Sequence, residues 1–205
     1  MSVPKPDLGF GLTVRDDADD TDPEDCRYPP LLQPQLTHLQ IGMRIHPWPS
    51  PRLPELAFPA VVYECKSDSS SILYAENQAA GGAAKALCML EDLRKLVPEE
   101  FDKVPVIALC SQGPIWKVFV AFRKDSVPQR GIVSSEDQLL SRPFNAMQTY
   151  LALPKHLGRI WSGDISDKWN LFQLQVIIIR ISAWLSGEYR VKIAKLVERA
   201  TSSIC

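Results

Sequence analysis

The clearest hydrophobic pattern in the chain is a short apolar run that gives way to a long helical stripe. Ala60, Val61, Val62 and Tyr63 form a partly β-branched block that ends in Glu64-Cys65-Lys66, and Pro59 stands where the strand should begin. Strand side chains alternate, so Glu64 and Lys66 share one face while Tyr63 and Cys65 share the other, which predicts Cys65 turned into the core. Ser67 to Ser71 then offer N-caps, and the spacing of Leu73, Ala80, Ala84, Leu87, Cys88 and Leu90 predicts a helix over about 71–96, stopped by Pro98. Gly81 and Gly82 sit inside that helix, each costing about 1 kcal/mol relative to alanine, a cost that close packing against a sheet would explain.

The flanking pattern supplies the other elements. Leu8, Phe10 and Leu12 alternate with Gly9, Gly11 and Thr13, predicting a strand with one buried face. A strand glycine also marks a bulge or a close approach by a neighbouring backbone. Two apolar runs, 104–110 and 115–123, flank Ser-Gln-Gly-Pro and predict a hairpin turning at Gly113-Pro114. Residues 126–141 read as irregular, 144–153 fit either a short helix or an edge strand, and 156–165 suggest a further strand. Phe172, Val176, Ile179, Ala183 and Trp184 recur at helical spacing, predicting a long C-terminal helix over 169–200 with a break near Ser186-Gly187.

Composition changes the picture most between about 15 and 55. That stretch holds the acidic run Asp16 to Asp25 and eight of the 17 prolines, and it reads as a Pro-rich acidic insertion, the least ordered part of the chain. Within it, 33–45 fit a short strand or a helical turn, and 46–54 should be extended. The acidic run lacks the central glycine and twelfth-position glutamate of an EF-hand. His38 and His46 have no second histidine or cysteine at ligand spacing.

With 205 residues, 45% of them hydrophobic, the chain is expected to form one domain around one core. Its five cysteines are scattered and odd in number, which argues against a disulfide framework or a zinc knuckle and for a reducing, intracellular setting. The N-terminal residues carry no secretory pattern, and the most apolar later run, 174–185, is broken by Gln175 and Arg180 and too short to cross a bilayer. A net charge of −1 excludes duplex binding by bulk charge. The cluster Arg180, Arg190, Lys192, Lys195 and Arg199 reads as the solvated face of a helix.

Strand, insertion, strand, helix, hairpin, helix is an α/β order. Candidate chemistry gathers at the ends of its first two strands, where Asp7 and Glu64 could offer hard oxygen ligands, the carbonyl of Cys65 a third, and Lys66 a cation facing a metal-bound water. Because 57 positions separate the two carboxylates, their convergence would depend on the fold. Gln78 reads equally as a hydrogen-bonding partner of Lys66 or a water and as an ordinary helix-surface amide, and Glu76 is a weaker candidate on a different side of the helix.

Pro6-Asp7 on one strand and Glu64-x-Lys66 on the next, followed by a helix, resemble the PD-(D/E)XK nuclease superfamily. The wider phrase FPAVVYECKSDSSSILYAENQAAGGAAKAL is similar to a fungal group of PD-(D/E)XK nuclease-like proteins, and Gln78 falls where the RecB-type branch carries a glutamine. The resemblance implies a restriction-endonuclease-like fold, a mixed central sheet flanked by helices. It also implies an Mg²⁺ site, with Mn²⁺ as a substitute, held by Asp7, Glu64 and the Cys65 carbonyl, a catalytic set of Asp7, Glu64, Lys66 and Gln78, and DNA as the substrate. The alternative it leaves is a silent nuclease fold that binds nucleic acid or a protein.

Overall fold

A computed structural model describes residues 8–15, 31–49, 56–97, 104–123 and 155–202. The fold is α/β, with a mixed, open six-stranded sheet. Its strands are β1 (Leu8–Arg15), β2 (Leu31–Leu32), β3 (Leu56–Lys66), β4 (Val106–Gln112), β5 (Ile115–Arg123) and β6 (Lys155–Asp164), in the order β2-β1-β3-β4-β5-β6. The helices are α1 (Gln33–Met43), α2 (Ile72–Lys95), α3 (Lys168–Trp184) and α4 (Arg190–Ser202). Two compact units divide the chain: one of Met1–Gly9, Val61–Leu87 and Lys103–Gln173, the other of Phe10–Ala60, Cys88–Asp102 and Leu174–Cys205.

In the first unit, β3 and β4 run parallel, and α2 supplies the crossover that adjacent parallel strands need. β4, β5 and β6 form an antiparallel meander. The expected hairpin turn is present: Gln112 pairs with Ile115, and Gly113 takes φ +52° ahead of a proline, the combination of a type II′ turn. Between Val118 and Phe119 the β5–β6 register slips, leaving Ile160 as the bulged residue. Asp167 caps α3, its carboxylate accepting from the backbone N–H groups of Trp169 (2.7 Å) and Asn170 (3.0 Å). Trp161 Nε1 then donates to Gln173 Oε1 at 3.0 Å, which ties the start of α3 to the Tyr63 face of the sheet.

In the second unit, α1 packs against α4. Leu36 and Leu39 are the buried residues of α1, and Ile193, Leu196, Val197 and Ala200 form a buried stripe on α4 that leaves Lys195 and Arg199 in solvent, as the C-terminal charge pattern implied. The expected break in the C-terminal helix is a π-helical turn, Leu185–Tyr189, between α3 and α4. From it the fully buried Tyr189 donates its hydroxyl to Phe58 O at 2.7 Å.

Four sequence expectations need correction. Pro59 lies inside β3 and does not begin it; Phe58 before it adopts φ +45°, and this local kink lets a proline sit within a strand. Leu8 and Phe10 are half exposed, and of the alternating apolar set in β1 only Leu12 is buried. Residues 33–43, where the sequence suggests a short strand or a helical turn, form a full helix of 11 residues, α1, entered through Pro34 in its first turn, where a missing N–H costs nothing, and closed at Arg44 (φ +56°) with Ile45 N donating to Leu39 O at 3.1 Å. The thiol of Cys65 is exposed. The remaining insertion residues, 16–30 and 50–55, and the segment 126–153 lie outside the described residues, and among those described no helix is long and apolar enough to cross a membrane.

Candidate functional site

The register of β3 to β6 sets out the candidate site row by row. Glu64 lies opposite Cys110, Cys110 opposite Lys117, and Lys117 opposite Ser162. The next row towards the carboxyl end of β3 is Lys66, Gln112, Ile115 and Asp164. Both rows fall on one face, and Glu76 of α2 reaches that face by pairing with Lys117.

Glu64 is completely buried, and Lys66 Nζ stands 3.3 Å from its Oε2 with the lysine side chain 24% exposed. The alternation read from sequence therefore holds for this pair. At that separation the attraction is roughly 4 to 5 kcal/mol at an effective dielectric constant near 20, comparable with the several kcal/mol that burying a carboxylate costs. Lys66 thus offsets part of the cost of burying Glu64.

One strand over, the Cys110 thiol is fully buried between the two pairs. Its pKa is pushed up from 9.0 to about 12, chiefly by burial and then by the Glu76 carboxylate, with the Lys117 ammonium pulling the other way. A thiol so protonated is no nucleophile at neutral pH. Gln78 keeps its carboxamide oxygen buried with no hydrogen-bond partner among the described residues. Glu76 and Gln78, about 160° apart around a regular helix, flank the buried stripe of Ala75, Ala79 and Ala83 on opposite sides. The two helix glycines, Gly81 and Gly82, are both buried.

Sequence reasoning passed over Lys117 and Gln112. Periodicity gave no signal for Lys117: it shares strand parity with the buried Phe119 and Ala121, but the opposite parity, Trp116, Val118, Val120 and Phe122, is wholly apolar, with Val118 buried as well. Gln112 gave none either: its carboxamide donates to the carbonyls of Asp68 (3.1 Å) and Ser70, a contact that depends on the β3–β4 register.

Asp7, the second expected carboxylate, lies outside the described residues. Among the described residues no group of three or more histidine, cysteine or acidic side chains is arranged to hold a metal ion. The Glu64 carboxylate and the Cys65 carbonyl are hard oxygen donors of the kind Mg²⁺ takes, yet with Lys66 drawn onto Oε2 they need a further carboxylate to hold a dication. Compared with known proteins, the chain matches no protein family, no curated protein and no solved structure.

Proposed function

We propose that this chain is a metal-dependent nuclease of restriction-endonuclease-like architecture that hydrolyses DNA phosphodiester bonds. The observation that carries the reading is the Glu64–Lys66 pair, a buried carboxylate and a partly exposed ammonium 3.3 Å apart at the carboxyl end of a parallel strand that runs directly into a helix. Carboxyl ends of parallel strands are where α/β sheets place their ligands. Asp7, Glu64 and the Cys65 carbonyl would hold Mg²⁺ or Mn²⁺, which when bound neutralises phosphate charge and lowers the pKa of its water.

The chain's own residues have separable parts in this reading. Lys66, 24% exposed beside Glu64, would offer its N–H donors to the attacking water and to the phosphate oxygens on which charge develops. Gln78, whose buried carboxamide oxygen accepts from no described residue, is available to a water or to the Lys66 ammonium. The shielding of Glu64 beneath α2 keeps bulk water from weakening these contacts.

A second reading, a silent fold that binds nucleic acid or protein, draws support from the same pairs: Glu64 is engaged by Lys66, and Lys117 by Glu76, so neither lysine stands as a loose cation. Incubation with single- and double-stranded DNA and Mg²⁺ or Mn²⁺ separates the two. The nuclease reading requires cleavage that a chelator abolishes. It also requires Glu64→Ala and Asp7→Ala to weaken metal binding in calorimetry, while Lys66→Ala slows cleavage and leaves metal binding intact. Wild-type protein with neither metal affinity at millimolar concentration nor cleavage would leave the binding module.

A further inference from the structure

The tip of the β4–β5 hairpin meets the segment that leaves Lys66 at three points. Gln112, the cross-strand partner of Lys66, donates to the carbonyls of Asp68 and Ser70. The Asp68 carboxylate occupies the space into which a Cβ on Gly113 would project. Lys117 pairs with Glu76, the two side chains 17% and 22% exposed. Each contact is made to a residue that lies in sequence between the Glu64–Lys66 pair and Gln78.

A lysine whose side chain is only 17% exposed, in one row with the buried Cys110 and Glu64, must find a carboxylate or leave a poorly compensated charge, so Lys117 constrains where Glu76 can stand. Glu76 lies in the second turn of α2, two residues and about half a turn from Gln78, so the ion pair fixes both the rotation and the height of the helix start. Gln112 fixes the loop that feeds it. The two contacts come from opposite sides of a two-residue turn and would act as one rigid template.

We propose that Lys117 is a positioning residue of the candidate site: through Glu76 it sets how α2, and with it the Gln78 carboxamide, stands over the Glu64–Lys66 edge, while Gln112 holds the intervening loop. The activity part of the test rests on the nuclease reading; the structural part does not. The full chain serves as Lys117→Met, as Glu76→Gln, which keeps a hydrogen-bonding group should the methionine variant fail to fold, and as the charge-swapped double variant Glu76→Lys with Lys117→Glu.

Amide exchange over 67–78 should quicken at least tenfold in Lys117→Met and in Glu76→Gln, with β5 and β6 unchanged, and should return towards wild type in the swap. Cleavage should follow: kcat down about tenfold to a hundredfold, as for a misplacement of about 1 Å, with KM for DNA held within about twofold and kcat recovered by the swap. Unchanged exchange over 67–78 in both single variants would overturn the proposal. So would a rise in KM that the swap does not rescue, since Lys117 would then touch the substrate itself. If the wild type cleaves no DNA, the nuclease reading falls, and the exchange data on the single variants and the swap still decide whether Lys117 positions α2.

Discussion

Removing one oxygen atom at Tyr189 tests how β3 is held in its kinked path. The Tyr189 hydroxyl donates to Phe58 O at 2.7 Å, the tyrosine is 1% and the phenylalanine 0% exposed, and Phe58 carries φ +45° immediately before a proline. A bulky residue in that region costs about 1 to 3 kcal/mol and persists only where its surroundings over-determine it. Here the surroundings are Phe58 N donating to Pro47 O at 2.9 Å and Tyr189 donating to Phe58 O. Tyr189→Phe preserves the ring and leaves a buried carbonyl without that donor, which should cost about 1 to 3 kcal/mol. Urea unfolding should show the loss as a midpoint lowered by roughly 0.3 to 1.5 M at unchanged slope, for a slope of about 2 to 3 kcal/mol/M.

Alkaline pH gives an independent check. Burial raises the Tyr189 pKa above its ordinary value of 10.0, so the folded state holds the phenol proton more tightly than the unfolded chain does. The corresponding stability is fully present below pH 10 and declines above it by about 1.4 kcal/mol per pH unit. Tyr189→Phe should remove that share of the alkaline slope. A midpoint within 0.2 M of wild type, or an alkaline slope identical in the two proteins, would refute the argument that this hydroxyl fastens the kink.

Further expectations follow from contacts elsewhere. Gly11→Ala would place a Cβ 2.6 Å from Ala57 O, a backbone atom that cannot step aside cheaply, and should destabilise the protein by about 1 to 3 kcal/mol in the same urea assay. Gly113→Ala would hold alanine at φ +52° against the Asp68 carboxylate and should cost about 1 to 2 kcal/mol or more; a neutral result would mean that the turn does not need its left-handed residue. A thiol reagent followed by peptide mass mapping should modify the exposed Cys65 in the native state and reach the buried Cys110 only as the protein unfolds. The Cys110 pKa, raised to about 12, contributes stability that is present below pH 9 and lost as pH climbs from 9 towards 12, so Cys110→Ala should flatten stability over that window.

Local chemistry determined much of this chain without reference to its partners. The β-branched run before Glu64, the helical stripe after Ser71, Gly113-Pro114 between two apolar runs and Ser186-Gly187 in the C-terminal helix each correspond to an element or a break in the structure, because period, turn residues and helix-breaking residues act over a few positions. Alternation alone placed Glu64 and Lys66 together. The glycine of β1 that signalled a close backbone approach does meet Ala57 and Pro59 at Gly11.

What alternation cannot do is say which face of a strand another element will cover. Cys65 and Glu64 are neighbours of opposite parity, and the polar one is buried and the thiol exposed, because Glu64 belongs to the face that α2 reaches through Glu76 and brings Lys66 as its counter-charge. Leu8 and Phe10 kept their period and remained exposed. The pairing of Lys117 with Glu76 and the hold of Gln112 on Asp68 and Ser70 depend on register across strands and on the crossover of α2, joining residues 41 to 44 positions apart. Such contacts exist only once the sheet is assembled, so periodicity within one element cannot anticipate them.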